Sequence, residues 1–252
     1  MAHSKRLLLL LISGMLIAAP ATAAEIKVLD ANALTLAMKA IAADFTKETG
    51  HQVNFTGVSP GQVEQRLKAG EVYHLVITAT DSAAAFERDG KWRPGTRHPL
   101  VRVGIGLAVR EGVKLDLTTV ESTRKALLDA KAITYSDSRT GGLSGANSQK
   151  VLVNLGIADA VKSKTKLDAR GQELIADGEV DIGLFNVSEI PRAKGVVLAG
   201  PVPAAVQVYI NYDSAIPATN ATPEPALALL AYFKRAASRP VWDKAGLELS
   251  PE

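Results

Sequence analysis

From residue 25 onward, short apolar runs alternate with stretches in which apolar residues recur every three or four positions. Residues 26–29 form a short apolar run with the character of a strand. Behind it Leu34, Met38, Ile41 and Phe45 fall at i, i+4, i+7 and i+11, one stripe of an amphipathic helix. Asn32 stands where that helix would be capped, and Gly50 where a left-handed residue would close it. Residues 53–56 read as the next strand, and 57–61 as a turn opening a helix with Val63 and Leu67 on one face, ended by Gly70. The run 75–79 has the composition of a buried strand, with Asp81 or Ser82 as the cap of the helix behind it. Further strands are expected at 132–135, 180–185, 196–198 and 207–212, and helices at 147–155 and 225–237, with Pro240 opening a last one.

Repeated strand, turn and helix predict an α/β fold with mostly parallel sheets flanked by helices on both faces. The longer run 100–109 is the candidate for a strand that crosses from one lobe to another. No linker-like or repeated segment interrupts the pattern, so lobes would be joined through sheet strands. The expected division is a leader over 1–23, the first part of lobe I over 24–104, lobe II over 105–204, and the completion of lobe I over 205–252.

The leader expectation rests on Lys5 and Arg6, the apolar run 7–19, and the small residues after Pro20, which together have the form of a cleavable export signal. A membrane anchor needs about 18 apolar residues; this run is shorter and holds Ser13 and Gly14. The chain has no cysteine, so disulfides and lipid attachment through a cysteine are excluded. A periplasmic protein, not embedded in a membrane and acting as a monomer, is expected. Losing Lys5 and Arg6 takes two from the 29 basic residues against 26 acidic ones, so the net charge falls from +3 to near +1. With no basic run interleaved with aromatics, nucleic acid is not an expected partner.

Ligands of open parallel sheets sit beyond the carboxyl ends of the strands, where helix starts present unpaired N–H groups. Four turns at such positions are rich in small polar residues: 30–33, 57–61, 78–81 and 136–145. Each alone reads most simply as a helix cap; four in register suggest a shared cleft favouring a small anion, an oxyanion or a carboxylate. Asn32 and Thr78 are candidate ligand residues on this ground.

The stretches IKVLDANALTLAMKAIAADFTKETG, GQVEQRLKAG, LVITATD, LVNLGIADA and GEVDIGLFNVSEI resemble the molybdate-binding periplasmic proteins of ABC importers. That resemblance implies a type II periplasmic binding fold, two α/β lobes joined by two crossover strands, and the permease of an ABC transporter as partner. Its ligand positions fall on Ala33 in the first turn, Ser59 and Pro60 in the second, Ser144 followed by Gly145, and Asn186. Several depart from the family pattern. Ala33 replaces a ligand serine, Asn186 replaces a tyrosine hydroxyl, and Tyr73-His74 stands where Ala-Asp is usual. Pro60 has no N–H to donate. Each donor missing from a buried anion site costs about 1 to 3 kcal/mol, which weighs against molybdate itself.

The segments TYSDSRTGG, GEVDIGLFNVSEI and GVVLAGPVPAAVQ are similar to a divergent branch that includes periplasmic aconitate isomerases. This implies, as the alternative function, an allylic proton shift on a tricarboxylate. Arg139 and Arg170 are then candidate bidentate partners of carboxylates; the competing reading makes both solvated surface residues. Asp30 and Asp137 are the acids nearest the proper strand ends and read either as bases or as turn residues. His51 and His98 fall in expected loops, and His74 at a strand start, away from the cleft, where a structural role is expected. Residues 142–146 fail the G-x-S-x-G pattern at Ala146. No P-loop, dinucleotide fingerprint or His/Cys cluster is present, so neither cofactor nor metal is expected. Trp92 and Trp242 are expected in cores or at contacts between the lobes.

Overall fold

The computed structural model describes residues 23–140, 143–192 and 194–250. The leader features at 1–22, Gly141 and Gly142 lie outside the described residues.

The chain opens with β1 (Glu25–Ala31), α1 (Thr35–Thr49), β2 (Gln52–Val58), α2 (Pro60–Lys68), β3 (Leu75–Ala79) and α3 (Thr80–Arg88). Next come β4 (His98–Arg110), α4 (Val120–Asp129), β5 (Ile133–Tyr135), α5 (Leu143–Asn154), α6 (Ala158–Val161), β6 (Thr165–Leu167), α7 (Gly171–Ala176), β7 (Ile182–Asn186) and β8 (Val196–Pro201). The chain closes with β9 (Tyr209–Ala215), α8 (Glu224–Lys234), α9 (Arg239–Lys244) and β10 (Leu247–Leu249).

The apolar spacing of α1 works as expected: Met38, Ile41 and Phe45 are buried on one face, and Gly50 closes the helix at φ 76°, its N–H bonded to the Thr46 carbonyl. Its start differs. The N-cap is Leu34, while the Asn32 N–H donates to Val58 O at 2.9 Å, because the chain makes a turn over 32–34 before the helix begins. In α2, Ser59 and Gln62 form a reciprocal capping box and Pro60 occupies the first turn, where it needs no N–H. Helix α3 starts at Thr80, so Asp81 lies in its first turn instead of capping it. The expected helix over 225–237 ends at Lys234 and gives way to a 3-10 turn, Ala236–Ser238.

The strands run in the order β2-β1-β3-β9-β4-β7-β5-β6, with β8 and β10 also paired to β4. Strands β2, β1 and β3 are parallel, as are β6, β5 and β7. Strand β9 is antiparallel to β3, and β4 is antiparallel to β9, β7, β8 and β10. The fold is thus α/β with helices on both faces and parallel sheet outside these return strands. Strand β4 changes partners midway: through Gly104 it pairs with β9, and from Ile105 with β7. It is the crossing strand that the run 100–109 suggested.

Separate cores flank this switch. Met38, Phe45, Leu75, Tyr212, Phe233 and Trp242 pack on one face of the β2-β1-β3-β9 region, and Leu29, Val63, Val76, Phe86 and Trp92 on the other. Beyond the switch, Ile105, Leu107, Leu127, Ile133, Val151 and Leu184 form one core, and Ala108, Leu174, Ile175 and Phe185 another. Both tryptophans are buried, as expected.

At the switch itself the Gln207 side chain takes the place of a strand. Its Oε1 accepts the Ile105 N–H at 2.7 Å and the Val208 N–H at 3.0 Å, and its Nε2 donates to Ile105 O at 2.9 Å. Gly104 makes this possible, since a Cβ there would stand 2.8 Å from the amide.

Two histidines secure the sheet rather than a site. The His51 Nδ1 accepts the Ala24 N–H at 3.0 Å and the His74 Nδ1 accepts the Lys27 N–H at 2.9 Å. His98 begins β4 instead of lying in a loop.

Candidate functional site

Beyond the carboxyl ends of β1, β5 and β7 lies a polar cavity of about 300 Å³. Asn32 of the turn after β1 lines it on one side. Ser136 after β5, Ala169, Gln172 and Glu173 around the start of α7, Phe185 of β7, and Glu189 in the 3-10 turn Val187–Arg192 line the rest. Strands on both sides of the β4 switch therefore contribute to one cleft. Larger cavities exist: one of about 320 Å³ at Tyr135 and Leu167 touches the ends of β5 and β6 but draws on one side of the β4 switch only, one of about 400 Å³ lies at Arg110 and Gly178, and two more are about 470 Å³ beside Gly104 and Gln207 and about 550 Å³ between α1 and β2. None of the last three lies at the strand ends where an open parallel sheet places its ligand.

Several buried contacts hold the cleft wall. Gly145 in the first turn of α5 lies so close to the Ser136 backbone that a Cβ would stand 1.8 Å from its carbonyl oxygen. Ser144 accepts the Asn186 N–H at 3.2 Å. Asn186, 3% exposed, donates from Nδ2 to Glu189 Oε2 at 3.0 Å, and Gln172 donates from Nε2 to Glu189 O at 2.7 Å. Burial first, and the charge of Glu189 second, push the Tyr212 phenol far above its ordinary value, which places this carboxylate close to β9.

Asp30 is the buried penultimate residue of β1, two residues before Asn32. Burial raises its pKa from 3.8 to about 6, against the lowering effect of the Thr35 hydroxyl bonded to Oδ2 and the charge of Lys39. Its Oδ1 is buried without a partner. Gly57 lies opposite on β2, where a Cβ would meet the Thr35 hydroxyl at 2.2 Å.

The residues expected at the site divide. Asn32 lines the cavity, while Asn186, Ser144 and Gly145 support its wall from behind. Ala33 is instead buried in the core beside α1, and Ser59 is engaged in capping α2. Thr78 is buried on β3, its hydroxyl unpartnered, opposite Asp213. Arg139 lies in the 3-10 turn Ser138–Thr140 that follows Ser136, and Arg170 is the N-cap of the helix α7 that carries Gln172, but their side chains are 84% and 70% exposed and pair with Asp137 at 2.5 Å and Asp168 at 3.5 Å. Of the four polar turns, 30–33 and 136–145 reach the cavity; 57–61 and 78–81 contribute no lining residue. Gln172, Glu173 and Glu189 were missed. The strand-to-helix rule would have flagged the first two, had the three-residue β6 been long enough to register as a strand.

The chain belongs to the bacterial extracellular solute-binding protein family, whose model matches residues 26–248. The molybdate-binding protein ModA of Azotobacter vinelandii is 26% identical over 241 residues, 93% of this chain and 94% of that protein. An aconitate isomerase from a Pseudomonas species is 24% identical over 252 residues, 97% of this chain and 94% of that protein. The solved periplasmic molybdate-binding protein of A. vinelandii superposes with a TM-score of 0.70 at 21% identity, covering 90% of this chain and all of that one, and so shares the fold. Among the described residues no helix is long and apolar enough to cross a membrane, and no group of three or more His, Cys, Asp and Glu could hold a metal.

Proposed function

We propose that the protein is the periplasmic solute receptor of an ABC importer, exported by a leader removed after residue 23, and that it binds a small organic anion between two lobes. One observation carries the reading: a polar cavity at the carboxyl ends of strands from both sides of the β4 switch, in a chain of the solute-binding family. Lobe I comprises 24–104 with 205–252, and lobe II 105–204. Strand β4 and the return through Gln207 into β9 are the two connections about which the lobes close. Carboxylates of the solute face the segments of Arg139 and Arg170, which follow the lining residues Ser136 and Ala169 in the chain. Calorimetry against molybdate, tungstate, sulfate, phosphate and di- and tricarboxylates tests this. Tight binding of one class with protection against thermal unfolding is expected; silence across the panel refutes it.

A second reading, proton transfer on a bound tricarboxylate, is favoured by Asp30. Its buried carboxyl, with a pKa raised to about 6 and one oxygen without a protein partner, stands two residues before the lining Asn32, and as a base it would act only on a solute that reaches the end of β1. Incubation with trans-aconitate should then yield the cis isomer, and no turnover above the blank retires it.

A further inference from the structure

Val187 reaches across the β4 switch. It follows β7, whose last residue Asn186 pairs with Ile105, the first residue of β4 beyond the switch. Yet its side chain packs on the core of Met38, Phe45 and Trp242, and among the described residues no other apolar residue of 105–204 does so. Both of its methyls meet glycines. A Cβ at Gly246, between α9 and β10, would stand 2.2 Å from Val187 Cγ1, and one at Gly106 of β4 would stand 3.0 Å from Val187 Cγ2. Backbone can approach a side chain this closely only where a Cβ is missing. Gly246 is also left-handed, at φ 69°, which by itself favours glycine. Gly70 is equally left-handed, at φ 80°, but has nothing within 4 Å where a Cβ would stand. The seat of Val187 on Gly246 is therefore a constraint separate from backbone conformation.

Two features around this seat suit a moving joint. The cavity of about 470 Å³ beside Gly104 and Gln207 is lined by Val187 and Gly246 as well, with Leu117 and Pro203 on one side and Tyr209 and Leu247 on the other. Close-packed interiors resist rotation, and a void bordered from both sides of the switch leaves room for it. Val187 also opens the 3-10 turn that brings Glu189 to the cleft lining. Displacement of the C-terminal segment at Gly246 is thus two residues of chain away from the solute cavity.

We propose that Val187 is a positioning residue for solute capture: resting on Gly106 and Gly246, it is the bearing on which the two lobes turn, and it sets their relative angle from behind the cleft. This rests on the reading of the protein as a two-lobe receptor and adds the contact that governs its closure.

Double electron–electron resonance tests it. The chain has no cysteine, so Lys47→Cys on α1 and Lys150→Cys on α5, both exposed, carry spin labels on either side of the switch. Distances are measured without ligand and with each anion of the calorimetric panel. Gly246→Ala brings a Cβ well inside contact distance of Val187; a small displacement at a joint is amplified across the lobes, so the mean ligand-free distance should shift by about 2 Å or more. Val187→Ala removes both methyls from their seats and should broaden the distribution. Gly70→Ala, with the same backbone strain but no neighbour, should leave it unchanged. Melting shows whether each variant is folded, and Val187→Ala keeps the test open if the Gly246 variant fails to fold. If a wild type that closes on one of the anions is matched in distribution by the variants at 187 and 246, or if Gly70→Ala shifts it as much, this inference is overturned and the receptor stands. Wild-type labels that stay at one distance through the whole panel overturn the receptor reading and this inference together.

Discussion

Replacing Asp30 with Asn should remove a pH-dependent cost that the wild-type fold carries. Asp30 is fully buried, and burial outweighs the Thr35 hydroxyl and Lys39 in setting its pKa near 6 instead of 3.8. Between those values the unfolded chain releases the proton while the folded chain keeps it. Stability contributed by this group is therefore greatest at low pH, falls as pH rises through about 4 to 6, and is level above. A difference of about two pKa units corresponds to about 3 kcal/mol. Asn has nearly the same shape, can still accept from Thr35, and does not titrate. Its own pH-independent costs, such as an amide N–H without a partner, cancel when one protein is compared with itself across pH. Urea unfolding followed by tryptophan fluorescence suits the measurement, because Trp92 and Trp242 are buried in the two cores that flank β1. Wild type should lose about 2 to 3 kcal/mol relative to Asp30→Asn between about pH 4 and pH 8. Parallel stability curves for the two proteins would refute the assignment of a raised pKa to Asp30.

Further predictions concern the scaffold. Gln207→Leu orphans the Ile105 N–H, whereas Ile105 O keeps a bond from the Val202 N–H at 3.1 Å; a loss of about 1 to 3 kcal/mol and faster amide exchange at Ile105 are expected. Arg97→Met leaves Asp213, 2% exposed, with the Thr80 hydroxyl but without its ion pair at 2.5 Å. That should cost about 3 kcal/mol by chemical denaturation, part of it restored by adding Asp213→Asn. Gly145→Ala forces the Ser136 backbone away from α5, so solute affinity should fall about tenfold or more with a stability loss of about 1 to 3 kcal/mol, read by calorimetry and melting.

Much of the fold was legible because its elements announce themselves by apolar spacing. The α1 stripe, the left-handed Gly50 and the long run at β4 all follow from local rules that the tertiary structure does not override. Helix starts were less legible: Asn32 and Asp81 have capping chemistry, but the caps fall on Leu34 and Ala79, set by where β1 and β3 end. The site was legible only in part. Asn32 and the 136–145 turn were found from strand ends and small polar residues. Glu189 was not, because its position depends on a 3-10 turn after β7 and on a bond from Asn186 that no spacing rule anticipates. Ser59 shows the converse error, a polar turn residue consumed by its own helix. Gln207 carries no sequence signal, since its role exists only where β4 changes partners.

The most direct test of a solute site in the cleft is a crystal structure of the protein with the tightest-binding acid of the calorimetric panel. The acid should be found between Asn32 on one side and Ser136, Gln172 and Glu189 on the other. An acid seated instead in the cavity beside Gly104 and Gln207, or on the outer face of α1, would contradict the account.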